Sequence, residues 1–344
     1  MTIASVRILR LAVGTALSLW CSQAVSWQLS FLAPVFTMFI LALPMPAPSL
    51  KTGIGLIATL TLSLFAGLTL LPPLLNQPLA GLLLLTLALY WSFYFTARGG
   101  SPLLGSFATI GIAVSTAIGT VNIDAVLAVV YGVSFAAIVG VSFVWIAHAA
   151  LPDAMAAGSQ QPAAKPAAAP APELAAARRS AFRSLLIVLP VALLFLFSSA
   201  SAAYVPVLIK VAAMGQQASN EGTRLAARSL LMSTIIGGIA AIIAWQVLSI
   251  APILSVYTLL VALAALVAGP MIFQGRALHP QAATWSYGLL TMLVILAPAA
   301  IDSIASDQAG SRFLDRLWMF AAATLYAVVA VQVFDAFAAH RQTD

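Results

Sequence analysis

The chain has 344 residues, of which 62% are hydrophobic and only 7% are charged, whereas roughly a quarter of the residues in soluble domains are charged. This composition excludes a soluble globular domain and indicates an integral membrane protein. Fifteen basic residues outnumber nine acidic ones. Nearly all of the basic residues fall in short loops on one predicted side of a membrane, so the net positive charge does not require a nucleic-acid partner.

The first predicted element lies at the N-terminus. Arg7 and Arg10 precede an apolar run, an arrangement that also occurs in secretory signal peptides. Trp20 directly before Cys21 disrupts a lipoprotein cleavage site, and the next apolar run follows within a few residues. We therefore predict a first transmembrane helix that is retained.

A helix needs about 20 residues to cross a bilayer core of about 30 Å. With this length as the criterion, the sequence predicts twelve membrane-spanning apolar runs. Six lie in the first half, at residues 9–25, 29–46, 52–72, 77–96, 103–121 and 125–150. Six follow at residues 182–198, 201–215, 227–247, 250–273, 281–301 and 316–338. The lengths of runs 125–150 and 201–215 leave eleven or thirteen spans open. The sequence thus predicts an all-α polytopic membrane protein.

Residues 151–181 separate the two sets of runs and are rich in alanine and proline. Such a segment is too proline-rich to pack and too polar to span, which predicts a cytoplasmic tether. We divide the chain into a six-helix repeat at 1–150, this linker, and a second six-helix repeat at 182–344. No loop is long enough for a soluble catalytic domain, so we predict a protein that is not an enzyme.

Basic residues also predict the orientation, because lysine and arginine accumulate in short cytoplasmic loops. With a cytoplasmic N-terminus, 12 of the 15 basic residues lie inside, Arg312 and Arg316 lie outside, and Lys210 lies within a span. An even number of spans places the C-terminus in the cytoplasm too. Six spans per half give both halves the same orientation, so the repeat is parallel.

The same spacing of Phe, Arg and Pro occurs in one loop of each half. The two copies are Phe95-Thr-Ala-Arg98-Gly-Gly-Ser-Pro102 and Phe273-Gln-Gly-Arg276-Ala-Leu-His-Pro280. This echo indicates a duplicated membrane unit, the usual architecture of a transporter that binds its substrate between repeats. Arg98 and Arg276 most simply enforce the topology, and a gating contact between their loops is the alternative.

Lys210 is the strongest candidate for a substrate-binding residue. Its run is predicted to begin near Ala202, so eight residues at about 1.5 Å each place it roughly 12 Å into the bilayer. A cation at that depth usually faces a cavity or a partner, where it would balance an anionic substrate or take part in proton coupling. The alternative is a lysine that snorkels to the cytoplasmic interface. The matching residue in the first half is Met38.

Pro34 and Pro206 each fall in the second run of their half. Paired helix interruptions at equivalent positions point to a binding site in transporters, although proline kinks also serve as ordinary packing devices. Tyr204 lies two residues before Pro206 and would add a hydroxyl or a stacking surface to such a site.

Three carboxylates are candidates for proton coupling. Asp335 lies near the cytoplasmic end of the last run, where it either takes up a proton or pairs with a nearby base such as Arg341. Asp124 and Asp302 are 178 residues apart, the same offset as Arg98 and Arg276. At the predicted outer mouth they are candidates for proton entry, or else simply solvated.

Metal and cofactor chemistry find no support in the sequence. Cys21 is the single cysteine, which excludes an intramolecular disulfide and a cysteine metal cage. The three histidines, His148, His279 and His340, have no ligand spacing. We also find no phosphate-binding loop, so we predict neither a metal nor a cofactor.

Several segments resemble the fusaric acid resistance and aromatic acid exporter family. They are Arg7-Ile-Leu-Arg10-Leu-Ala-Val-Gly-Thr-Ala, Trp27-x-x-Ser-Phe-Leu-Ala-Pro34-Val, and the stretch from Arg224-Leu-Ala-Ala-Arg228 through Gly237-Gly238. The similarity is closest to short proteobacterial members described as multidrug efflux components. It implies a bacterial inner-membrane exporter of aromatic carboxylic acids or related toxic compounds, which works with a periplasmic membrane-fusion protein. Longer members carry soluble cytoplasmic regions, of which only the tether is present here.

The leading hypothesis is therefore a proton-driven exporter of anionic aromatic small molecules that works by alternating access. The second hypothesis is a non-transporting scaffold or assembly subunit of an envelope complex. A third is an intramembrane enzyme that acts on lipid, for which we find no catalytic dyad. Outer helices rich in glycine and alanine leave a homodimer open.

Overall fold

The computed structural model describes residues 2–27, 29–120, 123–153, 173–197, 205–220, 223–275, 277–305 and 309–340. Within these ranges the chain forms thirteen helices and one pair of two-residue strands. The backbone is thus helical almost throughout, as expected where a bilayer offers no water to hydrogen-bond exposed peptide groups. This agrees with the predicted all-α membrane class.

The helices of the first half are α1 (Ile3–Val25), α2 (Leu32–Leu41), α3 (Leu50–Thr69), α4 (Leu71–Asn76), α5 (Pro78–Ala97), α6 (Pro102–Gly119) and α7 (Ile123–Ala150). The second half begins with α8 (Leu174–Phe197), α9 (Val205–Asn220), α10 (Thr223–Ile250) and α11 (Leu254–Ile272). The strands β1 (Phe273–Gln274) and β2 (Ala277–Leu278) follow, and α12 (Ala282–Ala305) and α13 (Ala309–His340) complete the described chain.

Eight segments in the described part are long and apolar enough to cross a membrane. They are α1, α3 together with α4, α5, α6, α7, α10, α11 and α13. The apolar stretches of α2, α9 and α12 are shorter, and α8 carries Arg178, Arg179 and Arg183 in its first half. Every predicted apolar run coincides with a helix, but helix length and composition establish only the eight.

The two Phe-x-x-Arg loops fold differently. In the first copy α5 continues to Ala97, and Gly99 with φ +91° ends it, with the Gly100 N–H donating to the Phe95 carbonyl at 3.0 Å. This is a Schellman cap, which needs a left-handed residue just past the helix. In the second copy the glycine comes before the arginine, and Gly275 with φ +62° turns the hairpin of β1 and β2. The position of the glycine therefore decides where each helix ends.

Backbone contacts divide the chain into two compact units. Unit 1 takes its described residues from 1–57, 132–169 and 233–317, and unit 2 takes them from 58–131, 170–232 and 318–344. Neither unit coincides with one of the predicted six-helix halves, because each draws helices from both. Four helices, α3, α7, α10 and α13, contribute residues to both units.

Helix α1 is the centre of unit 1 and packs on α2 and α11, while α12 packs on α11 and α2. Glycine permits the closest approaches: a Cβ at Gly14 would lie 2.6 Å from the Leu41 side chain. Arg10 of α1 is buried, donates to the Leu151 carbonyl and forms a 2.7 Å ion pair with Asp153. This contact fixes the end of α7 against α1.

Unit 2 is built on α8, which packs on α5 and α9, and on α6, which packs on the same two helices. Helix α6 is the most enclosed span of the described chain, with 83% of its apolar window buried. The Tyr326 hydroxyl of α13 donates to the Leu186 carbonyl of α8 at 2.7 Å. Unit 2 therefore surrounds two helices, α6 and α9, with protein rather than lipid.

Candidate functional site

The helices that carry Pro34 and Pro206 are the shortest apolar ones after α4. Helix α2 has ten residues and α9 has sixteen. Pro34 is the third residue of α2, in its first helical turn, and Pro206 is the second described residue of α9. First-turn N–H groups have no intrahelical acceptor to lose, so Pro34 does not interrupt α2. Residues 198–204 lie outside the described residues, so a kink at Pro206 stays a prediction.

Prolines do lie inside other helices of the described chain. Pro190 is inside α8, Pro270 inside α11 and Pro298 inside α12. In a helix interior a proline removes an intrahelical hydrogen bond. Pro34 and Pro206 stand out in the sequence because they match between the halves, whereas these three prolines do not stand out in this way.

Lys210 lies in unit 2, in the first half of α9, and its side chain is 0% exposed. Helix α9 packs against α5, α6 and α8, and every described side chain from Val207 to Gln216 is buried. A snorkelling lysine keeps its ammonium in water, whereas this side chain is enclosed by neighbouring helices. The burial of Lys210 therefore favours the alternative in which its ammonium faces a cavity or a partner over the one in which it snorkels to the interface.

Gln216, near the other end of α9, is also 0% exposed. Its Nε2 donates to Thr109 Oγ1 of α6 at 3.0 Å, and its Oε1 is buried with no hydrogen-bond partner in the described structure. A buried amide oxygen without a donor is costly. Six residues of helix separate Gln216 from Lys210, or about 9 Å along the axis.

Thr109 is the centre of a buried hydroxyl cluster between α5, α6 and α9. Its Oγ1 donates to the Gly105 carbonyl at 2.9 Å and also hydrogen-bonds the Ser92 hydroxyl of α5. Gly105 has no side chain to block this contact: a Cβ there would meet the Thr96 hydroxyl and lie 3.3 Å from the Gln216 amide. Below, "the α5/α6/α9 cluster" means Ser92, Thr96, Gly105, Thr109 and Gln216.

The α5/α6/α9 cluster is not among the sites predicted from the sequence. A sequence signal for it is present, because Ser92 and Thr96 are four residues apart on α5, and Gly105 and Thr109 are four residues apart on α6. Polar or small residues at that spacing share one helix face. Gln216 gave no such signal, because nothing in the sequence indicates that it meets a residue 107 positions away.

Unit 1 has a smaller polar contact on its own short helix. Thr37 of α2 bonds Ser18 of α1 at 2.9 Å and donates to the Gly140 carbonyl of α7 at 3.1 Å. Met38, which matches Lys210 in the sequence comparison, is fully buried. The short helix of unit 1 thus presents hydroxyl and thioether groups, while that of unit 2 presents an amine and an amide.

The remaining predicted residues lie at helix ends or beyond the described residues. Asp124 is exposed in the first turn of α7, where the helix dipole favours a carboxylate. Arg98 is exposed at the end of α5. Tyr204 and Arg276 lie outside the described residues, and so do the side chains of Pro206, Asp302 and Asp335.

Asp124 is the second residue of α7, and Asp302 lies three residues before Ala305, the last residue of α12. Arg316, the first residue of the predicted run 316–338, lies inside α13 and is buried. Helix α13 begins seven residues before Arg316, so the apolar run underestimated its length.

An apolar cavity of about 220 Å³ opens between α10, α11 and α12 in unit 1. Its walls are aliphatic side chains, glycines and the indole of Trp285. None of the predicted site residues lines it. Among the described residues no three side chains from His, Cys, Asp and Glu come together to hold a metal ion. The buried polar side chains of α9, Lys210 and Gln216, lie in unit 2 rather than at this cavity.

A family model matches the first part of the chain. Residues 7–147 match a family model described as Protein of unknown function (DUF2955). The match covers α1 to α7, less than half of the chain, and includes Ser92 and Thr109 but not Lys210 or Gln216. Neither the curated proteins nor the solved structures yield a match.

Proposed function

We propose that the protein is an exporter of anionic aromatic small molecules in the bacterial inner membrane. The observation that carries this proposal is the fully buried Lys210 on the short helix α9, which also carries Gln216 of the α5/α6/α9 cluster. Ionisable residues inside membrane proteins are costly and mark substrate or ion pathways. Short apolar helices in corresponding positions of two halves are a further pointer to a transporter binding site.

The proposed topology has twelve spans, with α3 and α4 forming one of them and both termini in the cytoplasm. It places the end of α5 and the start of α8 at the cytoplasmic face, in agreement with the arginines there. Helices α2, α8, α9 and α12 are the spans that length and composition alone do not establish.

We further propose that the spans form two parallel six-helix repeats that exchange helices. In unit 1, α1 packs on α2 and α11, and α12 packs on α11 and α2. In unit 2, α8 packs on α9 and α5, and α6 packs on α5 and α9. Each unit thus combines the first two spans of one half with the fourth and fifth of the other, and this matching arrangement supports an internal duplication.

The chemistry of α9 suggests the class of substrate. A lysine ammonium in a site of low dielectric would balance a substrate carboxylate. The amide of Gln216 and the hydroxyl groups of the α5/α6/α9 cluster would contact neutral polar atoms of the substrate. Aromatic carboxylic acids combine an anion with an apolar ring and suit such a site. We propose that the proton gradient drives export, with Lys210 and the carboxylates Asp335, Asp124 and Asp302 as the groups to test. A periplasmic membrane-fusion protein would complete the exit path.

Transport by purified protein in vesicles under a pH gradient tests this proposal. The substrate is a radiolabelled aromatic carboxylate, and its neutral amide serves as the comparison compound. Lys210→Met should reduce carboxylate transport by about ten- to a hundredfold, because a hydrogen bond to a charged group contributes about 1.5–3 kcal/mol. Lys51→Met, which removes an exposed lysine at the start of α3, should transport like the wild type.

Two results would contradict the proposal. If Lys210→Met folds and transports the carboxylate as the wild type does, Lys210 is not a substrate or coupling residue. If the wild-type protein moves no tested acid under any gradient, yet co-purifies with one fixed partner from native membranes, the scaffold hypothesis replaces the exporter.

A further inference from the structure

Two arginine side chains, Arg98 and Arg178, lie close to a group of aromatic side chains in unit 2. The Arg98 guanidinium donates to the Tyr94 hydroxyl at 3.3 Å and lies 5.8 Å from the centre of its ring. The Arg178 side chain also lies close to this hydroxyl. Tyr90 stacks on Tyr94 at 5.9 Å, and Trp91 meets Tyr94 edge-on at 5.4 Å. Below, "the interfacial cluster" means Tyr90, Trp91, Tyr94, Arg98 and Arg178.

The positive charge of the interfacial cluster is not neutralised within the described structure. Arg98 and Arg178 are both exposed. The ion pair between Arg10 and Asp153 belongs to unit 1, and among the described residues neither Arg98 nor Arg178 forms an ion pair. Two guanidinium groups near one phenol hydroxyl form a site for an anion with several acceptor oxygens, such as a phosphate.

An apolar stripe leads away from the interfacial cluster along α5. Leu79, Leu83, Leu87, Trp91 and Phe95 repeat every four residues, and Leu79 and Leu83 are 80% and 71% exposed. The stripe runs for about 24 Å along the helix, longer than the roughly 15 Å depth of one leaflet's hydrocarbon. It therefore extends from the level of the arginines into the membrane core.

We propose that this face of unit 2 binds an anionic phospholipid. The phosphate would lie against Arg98 and Arg178 and accept the Tyr94 hydroxyl, Trp91 would lie at headgroup depth, and the acyl chain would follow the α5 stripe. Under the proposed topology the cluster faces the cytoplasmic leaflet, to which anionic lipids attract basic residues. Aromatic side chains such as Trp91 and Tyr94 are typical of headgroup depth.

Charge favours a lipid over a second copy of the chain. A symmetric dimer uses the same patch on both subunits, so a dimer through this face would bring Arg98 and Arg178 close to the same residues of the other subunit. Like charges placed together oppose such an interface. A lipid phosphate supplies the opposite charge, and its acyl chains supply the apolar surface.

Native mass spectrometry of the full-length protein tests the proposal, with phosphatidylglycerol and phosphatidylcholine as the two probes. The wild type should retain phosphatidylglycerol preferentially. Each arginine near an anionic surface contributes about fivefold to lipid affinity, so the double variant Arg98→Gln, Arg178→Gln should bind phosphatidylglycerol roughly 25-fold more weakly. The control Lys51→Gln removes one exposed cation of unit 1 outside the interfacial cluster and should weaken phosphatidylglycerol binding by no more than about fivefold, the contribution of one surface cation.

The lipid should also stabilise the protein. In phosphatidylglycerol vesicles the wild type should unfold at a higher temperature than in phosphatidylcholine, and the double arginine variant should lose that difference while keeping its stability in phosphatidylcholine. Equal phosphatidylglycerol binding by wild type and double variant would overturn the proposal. So would a loss in Lys51→Gln as large as in the double variant, or a lipid-free dimer that occupies the α5 stripe.

Discussion

The hydrogen bond between Thr109 and Gln216 joins two helices of unit 2 and permits a quantitative test of the α5/α6/α9 cluster. Thr109→Val removes the hydroxyl that bonds both Gln216 and Ser92. Because Gln216 Oε1 already has no partner in the described structure, this substitution leaves the whole buried amide unsatisfied. We expect the free energy of unfolding to fall by about 1–3 kcal/mol, the cost of isolating a buried polar group.

The second substitution, Gln216→Met, removes the amide together with its unpartnered oxygen. Thr109 keeps its bonds to Gly105 and Ser92, so this variant should lose less stability than Thr109→Val. The double variant removes both partners and should cost less than the sum of the two. Hydrogen bonds between membrane helices contribute about 0.6 kcal/mol on average and at most about 1.7 kcal/mol, which sets the expected coupling near 1 kcal/mol.

Unfolding of the purified protein by increasing mole fractions of sodium dodecyl sulfate in mixed micelles measures these free energies. Thr86→Val is the matched control, since Thr86 Oγ1 donates to the Leu82 carbonyl within α5. It should change stability by less than about 0.5 kcal/mol. Additive effects of Thr109→Val and Gln216→Met, within about 0.3 kcal/mol, would show that the two side chains do not interact and would refute this description of the cluster.

Two further predictions concern packing and anchoring. Gly111→Ala should lower the free energy of unfolding by roughly 1–3 kcal/mol, because a Cβ at Gly111 would lie 2.9 Å from the backbone of α3. The control is Gly55→Ala, since a Cβ at Gly55 meets open space. In the same unfolding assay this control should be neutral or stabilising. Arg10→Met should lower the free energy of unfolding more than Asp153→Asn, because Arg10 is buried while Asp153 is 43% exposed. Half-exposed ion pairs contribute about 1 kcal/mol or less. An equal loss of stability in both variants would contradict this prediction.

The positions of the helices follow from the sequence because a membrane leaves little choice of secondary structure. Peptide groups in hydrocarbon must bond within the segment, so an apolar run of sufficient length becomes a helix. Each predicted apolar run overlaps a helix of the described structure. Helix ends were less predictable: the α5 loop and the β1–β2 hairpin share a sequence pattern, yet a glycine shifted by two positions gives them different structures.

Lys210 could be selected from the sequence alone, since a charge in an apolar run is conspicuous at any depth. The α5/α6/α9 cluster could not, because serine, threonine and glutamine are common in membrane helices. Their significance depends on which helices meet. Pro34 shows the opposite case, because this conspicuous residue lies in the first turn of α2, where a proline removes no intrahelical hydrogen bond.

The sequence by itself determined the class of protein and the approximate places of its helices, and it singled out Lys210 as a charge within an apolar run. All three depend on local hydrophobicity. Only the tertiary structure decided which helices pack together. The outer surfaces of membrane helices are similarly apolar, so hydrophobicity does not distinguish one partner from another, and small residues and polar contacts select among them. The union of α5 and α6 with α8 and α9 in unit 2, which surrounds Lys210 and Gln216 with protein, is the outcome of that selection.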